Sequence, residues 1–180
     1  MTGGAGCIGS AVIWALNKRG IIDIILVDEI AHPEKEKNIA SLHYYALESK
    51  ESFLNYIINS NLPWTVDAII HMGGCSSTIE SDELFLTKNN YDYTKLLATY
   101  AINKGLRFIY ASSAATYGNG SKGFSDEVDF ETLSPLNLYG HSKQNFDLWA
   151  KQQGALDQIV GLKFFNVFGP GEYHKKEMQS

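Results

Sequence analysis

The chain opens with Thr2-Gly3-Gly4-Ala5-Gly6-Cys7-Ile8-Gly9, and a helix-like apolar pattern follows over residues 10–16. Glycines at 3, 6 and 9 suit a tight turn, close approach of a pyrophosphate to the backbone, and close packing of a helix on its sheet. The N-terminus of that helix points free N–H groups and a partial positive charge at the phosphates. An ordinary turn is the alternative, but this stretch predicts a dinucleotide-binding loop.

The residues after the loop continue the pattern of a dinucleotide fold. A β-branched run from Ile21 to Val27 predicts a strand. Asp28 follows about 20 residues after the glycines, where such folds place an acid that binds a ribose hydroxyl. Only Met1 and Thr2 precede the glycines, although a strand should stand there. We therefore expect a first strand that is missing or reduced to a stub, in a chain truncated at its start.

The choice between the two nicotinamide dinucleotides depends on charges near Asp28. Asp28 favours a free 2′-hydroxyl, as in NAD, whereas a nearby cation would tolerate the 2′-phosphate of NADP. Lys35 and Lys50 lie in a polar, charged stretch. They are either solvated or able to reach an adenosine phosphate, so both dinucleotides stay open on the residues alone.

A second buried strand leads into a run of small residues. The strand is predicted over Val66–His71, and Met72-Gly73-Gly74-Cys75-Ser76 follows it. Small residues at the C-terminal end of a strand let a ligand approach the backbone, which is where open α/β sheets bind ligands. Cys75 is either an activated thiol or an unreactive small residue, and we favour the second because no neighbour in sequence lowers its pKa. One long helix is expected over Glu80–Lys104, with Asn89-Asn90 as amides that orient a cofactor or cap a kink.

Proton-transfer residues follow the next strand. Ser113 stands near the end of the strand that begins at Arg107, where its hydroxyl can hydrogen-bond a substrate alcohol or merely cap a turn. Tyr139 and Lys143 have the i, i+4 spacing that places two side chains on one face of a helix. An ammonium group beside a phenol favours the phenolate and lowers the phenol's pKa, so Tyr139 is the candidate base and Lys143 its electrostatic partner. A surface pair on a helix is the alternative. The last predicted strand runs over Ile159–Phe165.

Composition excludes several classes of protein. The 180 residues are 44% hydrophobic with a net charge of −5, which predicts one soluble domain and argues against nucleic acid or an anionic membrane as partner. Only two cysteines occur, so a reducing cytoplasm is the simplest setting and no metal site is expected. No apolar run approaches the roughly 20 residues of a membrane span, and no signal peptide is evident. Alternating strands and helices predict an α/β fold of the Rossmann-like, doubly wound parallel type.

Taken together, the motifs resemble the extended short-chain dehydrogenase/reductase family, which includes NAD-dependent epimerases and dehydratases. The likeness rests on the three glycines, Asp28, Ser113 and the Tyr139/Lys143 pair, in that order. A closer likeness, over essentially the whole chain, is to the ADP-heptose 6-epimerases. It rests on the following segments: residues 74–78, 110–118, 135–140 and 165–170, with His174-Lys175.

This resemblance implies an activity, a cofactor and partners. The activity is NADP-dependent epimerisation at the sixth carbon of an ADP-linked heptose by transient oxidation, for the lipopolysaccharide core. Full-length members are expected to form homo-oligomers. A 4,6-dehydratase is disfavoured because Ala114-Ala115 stand where that enzyme needs an Asp-Glu pair. A 4-epimerase, a reductase and a catalytically silent nucleotide-binding fragment stay open.

The resemblance also assigns roles to individual residues. Residues 1–165 would form the NAD(P)-binding domain, and residues 166–180 would begin a substrate-binding segment whose continuation is missing. Tyr139, Lys143, Ser113 and Lys175 would be catalytic. The sugar nucleotide would be contacted by Ser113, Asn166, Val167 and Lys175. The cofactor would be contacted by Gly3, Gly6, Cys7, Ile8, Gly9, Asp28, Glu29, Lys35, Lys50, Met72, Gly73, Gly74, Cys75, Ser76, Asn89 and Lys143.

The sequence departs from the family pattern at four of its positions. Cys7 replaces an aromatic residue, Glu29 replaces Asn, Met72 replaces Glu, and Glu177 replaces a small residue. Glu29 is the consequential change, because an extra carboxylate repels a 2′-phosphate and makes NAD a real alternative. Because the chain is expected to be incomplete, we expect the 180 residues alone to bind cofactor weakly and to turn over poorly or not at all.

Overall fold

The computed structural model of the chain describes residues 1–171, which fall into two compact units. The first unit comprises Met1–Gly73 with the stretch from Asn166 onward, and the second comprises Gly74–Phe165. Within the described residues, no helix is both long and apolar enough to cross a membrane.

The first unit is a parallel α/β unit. Its helices and strands alternate as α1 (Cys7–Asn17), β1 (Ile25–Val27), α2 (Pro33–Ile39), β2 (Ala46–Glu48), α3 (Lys50–Ile58) and β3 (Ala68–His71). Strands β1 and β2 pair in parallel. Thr2 forms parallel bridges to Val27 of β1 and to His71 of β3. The predicted stub of a first strand is therefore confirmed: Thr2 lies between β1 and β3, and its neighbours Met1 and Gly3 also hydrogen-bond to β1.

The core of the first unit explains why β1 is shorter than predicted. Ala5, Ile13 and Leu26 are fully buried together with Ile24 and Ile39. By contrast, the strand prediction began at Ile21, and Ile21 and Ile22 are about half exposed. Apolar residues outside the core gain little from strand pairing, because burial against neighbouring elements decides where a strand begins.

The second unit is organised around the parallel pair β4 (Arg107–Ser113) and β5 (Ile159–Phe164), which pair from Phe108 opposite Ile159 to Ser113 opposite Phe164. Helix α6 (Leu138–Gln152) lies between them in sequence and buries Phe146 against the aromatic rings of β4. The Phe146 and Tyr110 rings meet edge to face with centroids 4.6 Å apart. This aromatic packing holds α6 on the sheet.

The long helix predicted over Glu80–Lys104 is interrupted in the structure. It begins as α4 (Glu83–Leu86), continues as a π-helical stretch over Thr87–Asp92, and ends as α5 (Tyr93–Lys104). π-Helical turns inside a helix occur frequently at functional sites. Here the interruption carries Asn90, which is buried.

The alternation of strands and helices and the parallel pairing in both units confirm the predicted Rossmann-like α/β fold class.

Candidate active site

The glycine loop forms the N-terminal approach to α1 in the first unit. Gly3 has φ +68°, and a Cβ there would lie 2.5 Å from the Gly73 nitrogen. A Cβ on Gly9 would lie 2.0 Å from the Gly3 carbonyl oxygen, whereas one on Gly6 would meet that same oxygen at an ordinary 3.4 Å. The loop therefore folds tightly onto itself and onto Gly73. Cys7 and Ile8 follow as the first residues of α1.

The acidic pair after β1 joins this loop to the next two helices. The Asp28 carboxylate accepts a hydrogen bond from the Ala5 N–H at 2.8 Å and pairs with the Lys35 ammonium at 2.6 Å. The Glu29 carboxylate accepts from the backbone N–H of Lys50 at 3.0 Å. Four residues predicted to contact the cofactor, from positions 28 to 50, are thus brought together by direct contacts.

Asn38 on α2 is a residue that the sequence analysis missed. Its side-chain amide donates to the carbonyl oxygens of Ala5 and Gly171, both at 2.9 Å. Beside it, the Cys7 thiol lies 3.6 Å from the Pro170 carbonyl oxygen. The glycine loop and the segment that returns after β5 are therefore tied to each other through α2 and α1. A lone amide in a charged stretch carries no signal of such a contact.

The run of small residues after β3 passes from one unit into the other. In the first unit, the Met72 N–H donates to the Thr2 carbonyl at 3.0 Å. In the second unit, the buried Asn90 accepts from the Cys75 N–H at 2.8 Å and donates to the Cys75 carbonyl at 3.1 Å. Asn90 also donates to the Ser142 hydroxyl of α6 at 3.0 Å. Asn90 thus fixes the turn that contains Cys75, a role the sequence did not reveal.

The predicted proton-transfer residues are assembled in the second unit. Ser113 ends β4, and its hydroxyl hydrogen-bonds the Tyr139 side chain on α6. One turn further along α6, the buried Lys143 ammonium donates to the Ala111 carbonyl at 2.9 Å and lies 6.0 Å from the centre of the Tyr139 ring. The alternative of a surface pair is excluded, because Tyr139 and Lys143 are both less than 10% exposed.

The electrostatics of this group differ from the expectation in one respect. Burial raises the pKa of the Tyr139 phenol, opposed by the hydrogen bond from Ser113 and reinforced by Cys75. Burial also lowers the pKa of the Lys143 ammonium to about 8, and Asp147 opposes that shift. The expected lowering of the tyrosine pKa by its lysine partner is therefore corrected, because burial is the dominant influence on both groups.

Cys75 does not behave as an activated thiol. Burial is the main cause that raises its pKa, and the Lys143 charge opposes the rise. A thiol with a raised pKa is a poor nucleophile.

A buried ion pair joins helix α6 to the strands on which it packs. The Asp147 carboxylate, which is 1% exposed, pairs with the Lys163 ammonium of β5 at 2.6 Å. The same carboxylate accepts from the hydroxyls of Tyr110 and Ser112 of β4, both at 2.8 Å. Lys163 also donates to the Thr116 hydroxyl at 2.8 Å. Helix α6 is thereby locked to both strands four residues beyond Lys143.

Four further predicted site residues lie after β3, in the π-helical stretch and after β5. Asn89 is half-buried, and its amide donates to the Phe85 carbonyl of its own helix. Asn166 is exposed and Val167 half-buried in the segment after β5, and Ser76 is exposed after Cys75. Lys175, like Glu177, lies outside the described residues. Within residues 1–171, no group of three or more His, Cys, Asp or Glu side chains is placed to hold a metal ion.

Three features of the first unit suit a bound dinucleotide. The glycine loop leaves no room for side chains where Gly3 and Gly9 stand. Helix α1 begins immediately after Gly6, which makes no side-chain cap, so its first N–H groups suit an anion. Finally, Asp28 follows β1 at the place where a ribose hydroxyl is bound in this kind of fold.

Comparisons with known proteins agree with this geometry. The chain is 52% identical over its whole length to the ADP-L-glycero-D-manno-heptose-6-epimerase of Nitratidesulfovibrio vulgaris, of which it spans 56%. The crystal structure of the same-named Helicobacter pylori enzyme matches 99% of the chain and 58% of its own, with a TM-score of 0.83 and 26% identity. The Bacillus cereus UDP-glucuronic acid 4-epimerase in complex with NAD matches 94% of the chain and 57% of its own, with a TM-score of 0.75 and 27% identity.

The chain therefore spans little more than half the length of the curated relative and of both solved structures. The NAD dependent epimerase/dehydratase family model matches residues 1–180. Since that match covers the whole chain and the N. vulgaris relative is 52% identical along all of it, this chain belongs to the NAD dependent epimerase/dehydratase family.

Proposed function

We propose that the chain carries the machinery of an epimerase that inverts the sixth carbon of an ADP-linked heptose, from ADP-D-glycero-D-manno-heptose to ADP-L-glycero-D-manno-heptose. The observation that carries the proposal is the buried group of Ser113, Tyr139 and Lys143. The substrate class is supported by the names of the N. vulgaris and H. pylori relatives. The proposal includes a place in lipopolysaccharide core synthesis in the cytoplasm, which the resemblance implies.

Inversion at this carbon requires oxidation, because the stereocentre bears a hydroxyl and has no acidic C–H. A bound nicotinamide dinucleotide supplies the hydride acceptor and, afterwards, the hydride donor. Tyr139 takes the proton of the hydroxyl as base on one face of the sugar carbon, and Ser113 holds the reacting oxygen. Because burial raises the pKa of Tyr139, the phenol needs a positive charge to act as base, and the Lys143 ammonium one turn away is suited to provide it.

Re-reduction on the opposite face calls for a second proton-transfer group. By resemblance this group is Lys175, with Asn166 and Val167 contacting the sugar nucleotide. Val167 and Asn166 follow β5, where ligands bind in open α/β folds. Lys175 stays a prediction that rests on the family likeness.

The resemblance implies NADP as the bound dinucleotide, with NAD as the alternative. The solved 4-epimerase from B. cereus contains NAD. The full-length protein is proposed to be a homo-oligomer, as the family suggests.

Two other functions are kept as candidates. The likeness to the B. cereus UDP-glucuronic acid 4-epimerase favours a nucleotide-sugar 4-epimerase, or a reductase, because the Ser-Tyr-Lys chemistry serves any secondary alcohol. A catalytically silent nucleotide-binding fragment would keep the glycine loop and the acidic pair without turnover.

A chimeric protein tests the proposal. Residues 1–180 replace the matching part of the N. vulgaris relative, to which they are 52% identical, and the product is followed by NMR with ADP-D-glycero-D-manno-heptose. We expect epimerisation at the sixth carbon, and a loss of roughly 100-fold or more in kcat for Tyr139→Phe. Tyr117→Phe is the matched control, because Tyr117 is also buried but its hydroxyl donates to the Ser125 carbonyl. We expect that control to keep nearly full activity.

The outcomes separate the candidates. Inversion only at the fourth carbon of a nucleotide sugar would refute the proposal and support a 4-epimerase instead. A chimeric protein that folds and binds dinucleotide but is as inert as its Tyr139→Phe variant would support the catalytically silent nucleotide-binding fragment. The isolated 180 residues are assayed alongside, and we expect little or no turnover from them.

A further inference from the structure

The Asp28 carboxylate is nearly saturated by the protein itself. Its Oδ1 accepts from the Glu29 N–H at 2.8 Å and from the Lys35 ammonium at 2.6 Å, and its Oδ2 accepts from the Ala5 N–H at 2.8 Å. A carboxylate offers about four acceptor positions. Contacts within the described residues therefore leave one position on Oδ2, which suits a single hydroxyl donor such as that of a ribose.

The Glu29 carboxylate occupies the N-terminus of a helix. Its Oε1 accepts from the N–H of Lys50, the first residue of the nine-residue helix α3. The Ser49 hydroxyl accepts from the Ser52 N–H in the same turn. A helix N-terminus attracts anions through its free N–H groups and partial positive charge. At α3 that attraction is already met by the chain's own carboxylate.

The cation nearest to the acidic pair is also engaged. Lys35 pairs with Asp28 at 2.6 Å and donates to the Glu29 carbonyl at 3.2 Å. Its side chain is only 25% exposed, and that of Asp28 is 7% exposed. An incoming 2′-phosphate would thus meet a lysine already neutralised by one carboxylate, beside a second carboxylate that lacks an ammonium partner among the described ion pairs.

From these contacts we infer that Glu29 makes the chain bind NAD in preference to NADP. The inference rests on the proposed function, since it concerns the dinucleotide of the same site. A 2′-hydroxyl can donate to the open position of Asp28, whereas a 2′-phosphate has no proton to share there and is repelled by Glu29. Glu29 is a specificity-determining residue because it directly follows Asp28 and its carboxylate is engaged with the Lys50 N–H.

Calorimetric titration of the 180-residue chain with NAD⁺ and with NADP⁺ tests the inference without any turnover. We expect NAD⁺ to bind roughly 30-fold more tightly than NADP⁺, as like-charge repulsion at short range predicts. Glu29→Gln keeps an acceptor for the Lys50 N–H and removes the charge, so we expect it to reduce that ratio about tenfold by tightening NADP⁺. Glu51→Gln is the matched control, because Glu51 is an exposed acid in the first turn of the same helix, and we expect it to keep the wild-type ratio.

Three results would overturn the inference in different ways. Equal or tighter binding of NADP⁺ by the wild-type chain would refute it and leave the proposed function intact. A preference for NAD⁺ that Glu29→Gln leaves unchanged would show that another residue sets the preference. Binding of neither dinucleotide at millimolar concentration, by a chain that circular dichroism shows to be folded, would refute both this inference and the dinucleotide chemistry of the proposed function.

Discussion

Two buried aspartate–lysine pairs of the same length hold different parts of this molecule. Asp28 and Lys35 in the first unit, and Asp147 and Lys163 in the second, are each 2.6 Å apart. Asp147 is the more deeply buried, with a side chain 1% exposed against 7% for Asp28. The lysines differ in the same direction, since Lys35 is 25% exposed and Lys163 14% exposed.

The partners of the two carboxylates differ more than their depth. Besides lysine, Asp147 binds two side-chain hydroxyls of β4, so it joins α6 to β4 and β5. Besides lysine, Asp28 binds two backbone N–H groups, one of them in the glycine loop. The first arrangement fastens secondary-structure elements together, and the second shapes a loop. Equal ion-pair geometry thus fastens helix to strands in one unit and, by our proposal, serves ligand recognition in the other.

The largest expected effect is the loss of the Asp147 charge. Asp147→Asn leaves Lys163 buried without its counter-charge, and we expect it to lower the free energy of unfolding by about 3–5 kcal/mol. Asp28→Asn is the matched change in the first unit, where we expect a loss of about 1–2 kcal/mol of unfolding free energy. The smaller loss is expected because the Asp28 oxygens accept from two backbone N–H groups and because Lys35 is partly solvated. Urea denaturation of both variants measures the difference.

A double variant checks the cause of that loss. Asp147→Asn with Lys163→Gln leaves no unpaired charge at this ion pair, so we expect it to recover part of the stability that Asp147→Asn loses. Equal losses in the two single variants would erase the contrast between the two aspartates, and no recovery in the double variant would assign the loss to the hydroxyl contacts instead.

The second prediction asks what stabilises the loop that Asp28 binds. A Cβ on Gly9 would lie 2.0 Å from the Gly3 carbonyl oxygen, so we expect Gly9→Ala to cost about 2–3 kcal/mol of unfolding free energy despite alanine's better helix propensity. On Gly6 the same atom would sit at 3.4 Å, so we expect Gly6→Ala to change stability by roughly 0.5 kcal/mol or less. Similar costs for both would mean that the loop relaxes and that close backbone approach does not set its stability.

Local patterns were enough to predict the parts of the site whose residues are close in sequence or follow a strand. The glycine spacing predicted the loop, the position of Asp28 predicted its place after β1, and the Tyr139/Lys143 spacing predicted one helical face. Each of these is decided by backbone periodicity or by sterics within a few residues.

Contacts between distant residues could not be predicted in the same way. Asn90 binds Ser142 across 52 residues, and Asp147 binds Tyr110 across 37, so neither partner lies in the same local pattern. The pKa of Tyr139 was expected to fall because a lysine was near, but burial, which only the packed structure determines, raises it. Long-range packing therefore decides both the supports of the site and its protonation.

The smallest expected effect concerns Lys143, which contrasts with both paired lysines because it donates to the neutral Ala111 carbonyl. In the folded protein burial lowers its pKa to about 8, against its ordinary value of 10.5. Between these two pH values the unfolded chain binds the proton that the folded protein has released, so raising the pH favours the folded state. Relative to Lys143→Met, we expect the wild-type chain to gain on the order of 1 kcal/mol of unfolding free energy from pH 7.5 to pH 9.5.

The measurement stays below pH 10, because the raised pKa of Tyr139 acts with the opposite sign above that value. The difference in unfolding free energy between the wild type and Lys143→Met could instead stay flat or fall as the pH rises across this range. That result would mean that Lys143 keeps its proton as firmly as a lysine paired with a carboxylate. Asp147, which opposes the shift from four residues away, would then be the reason, and the pair that fastens α6 would also hold the charge beside Tyr139. If the difference rises with pH, the two tasks are separate: Asp147 stabilises the fold, and burial sets the lowered pKa of Lys143.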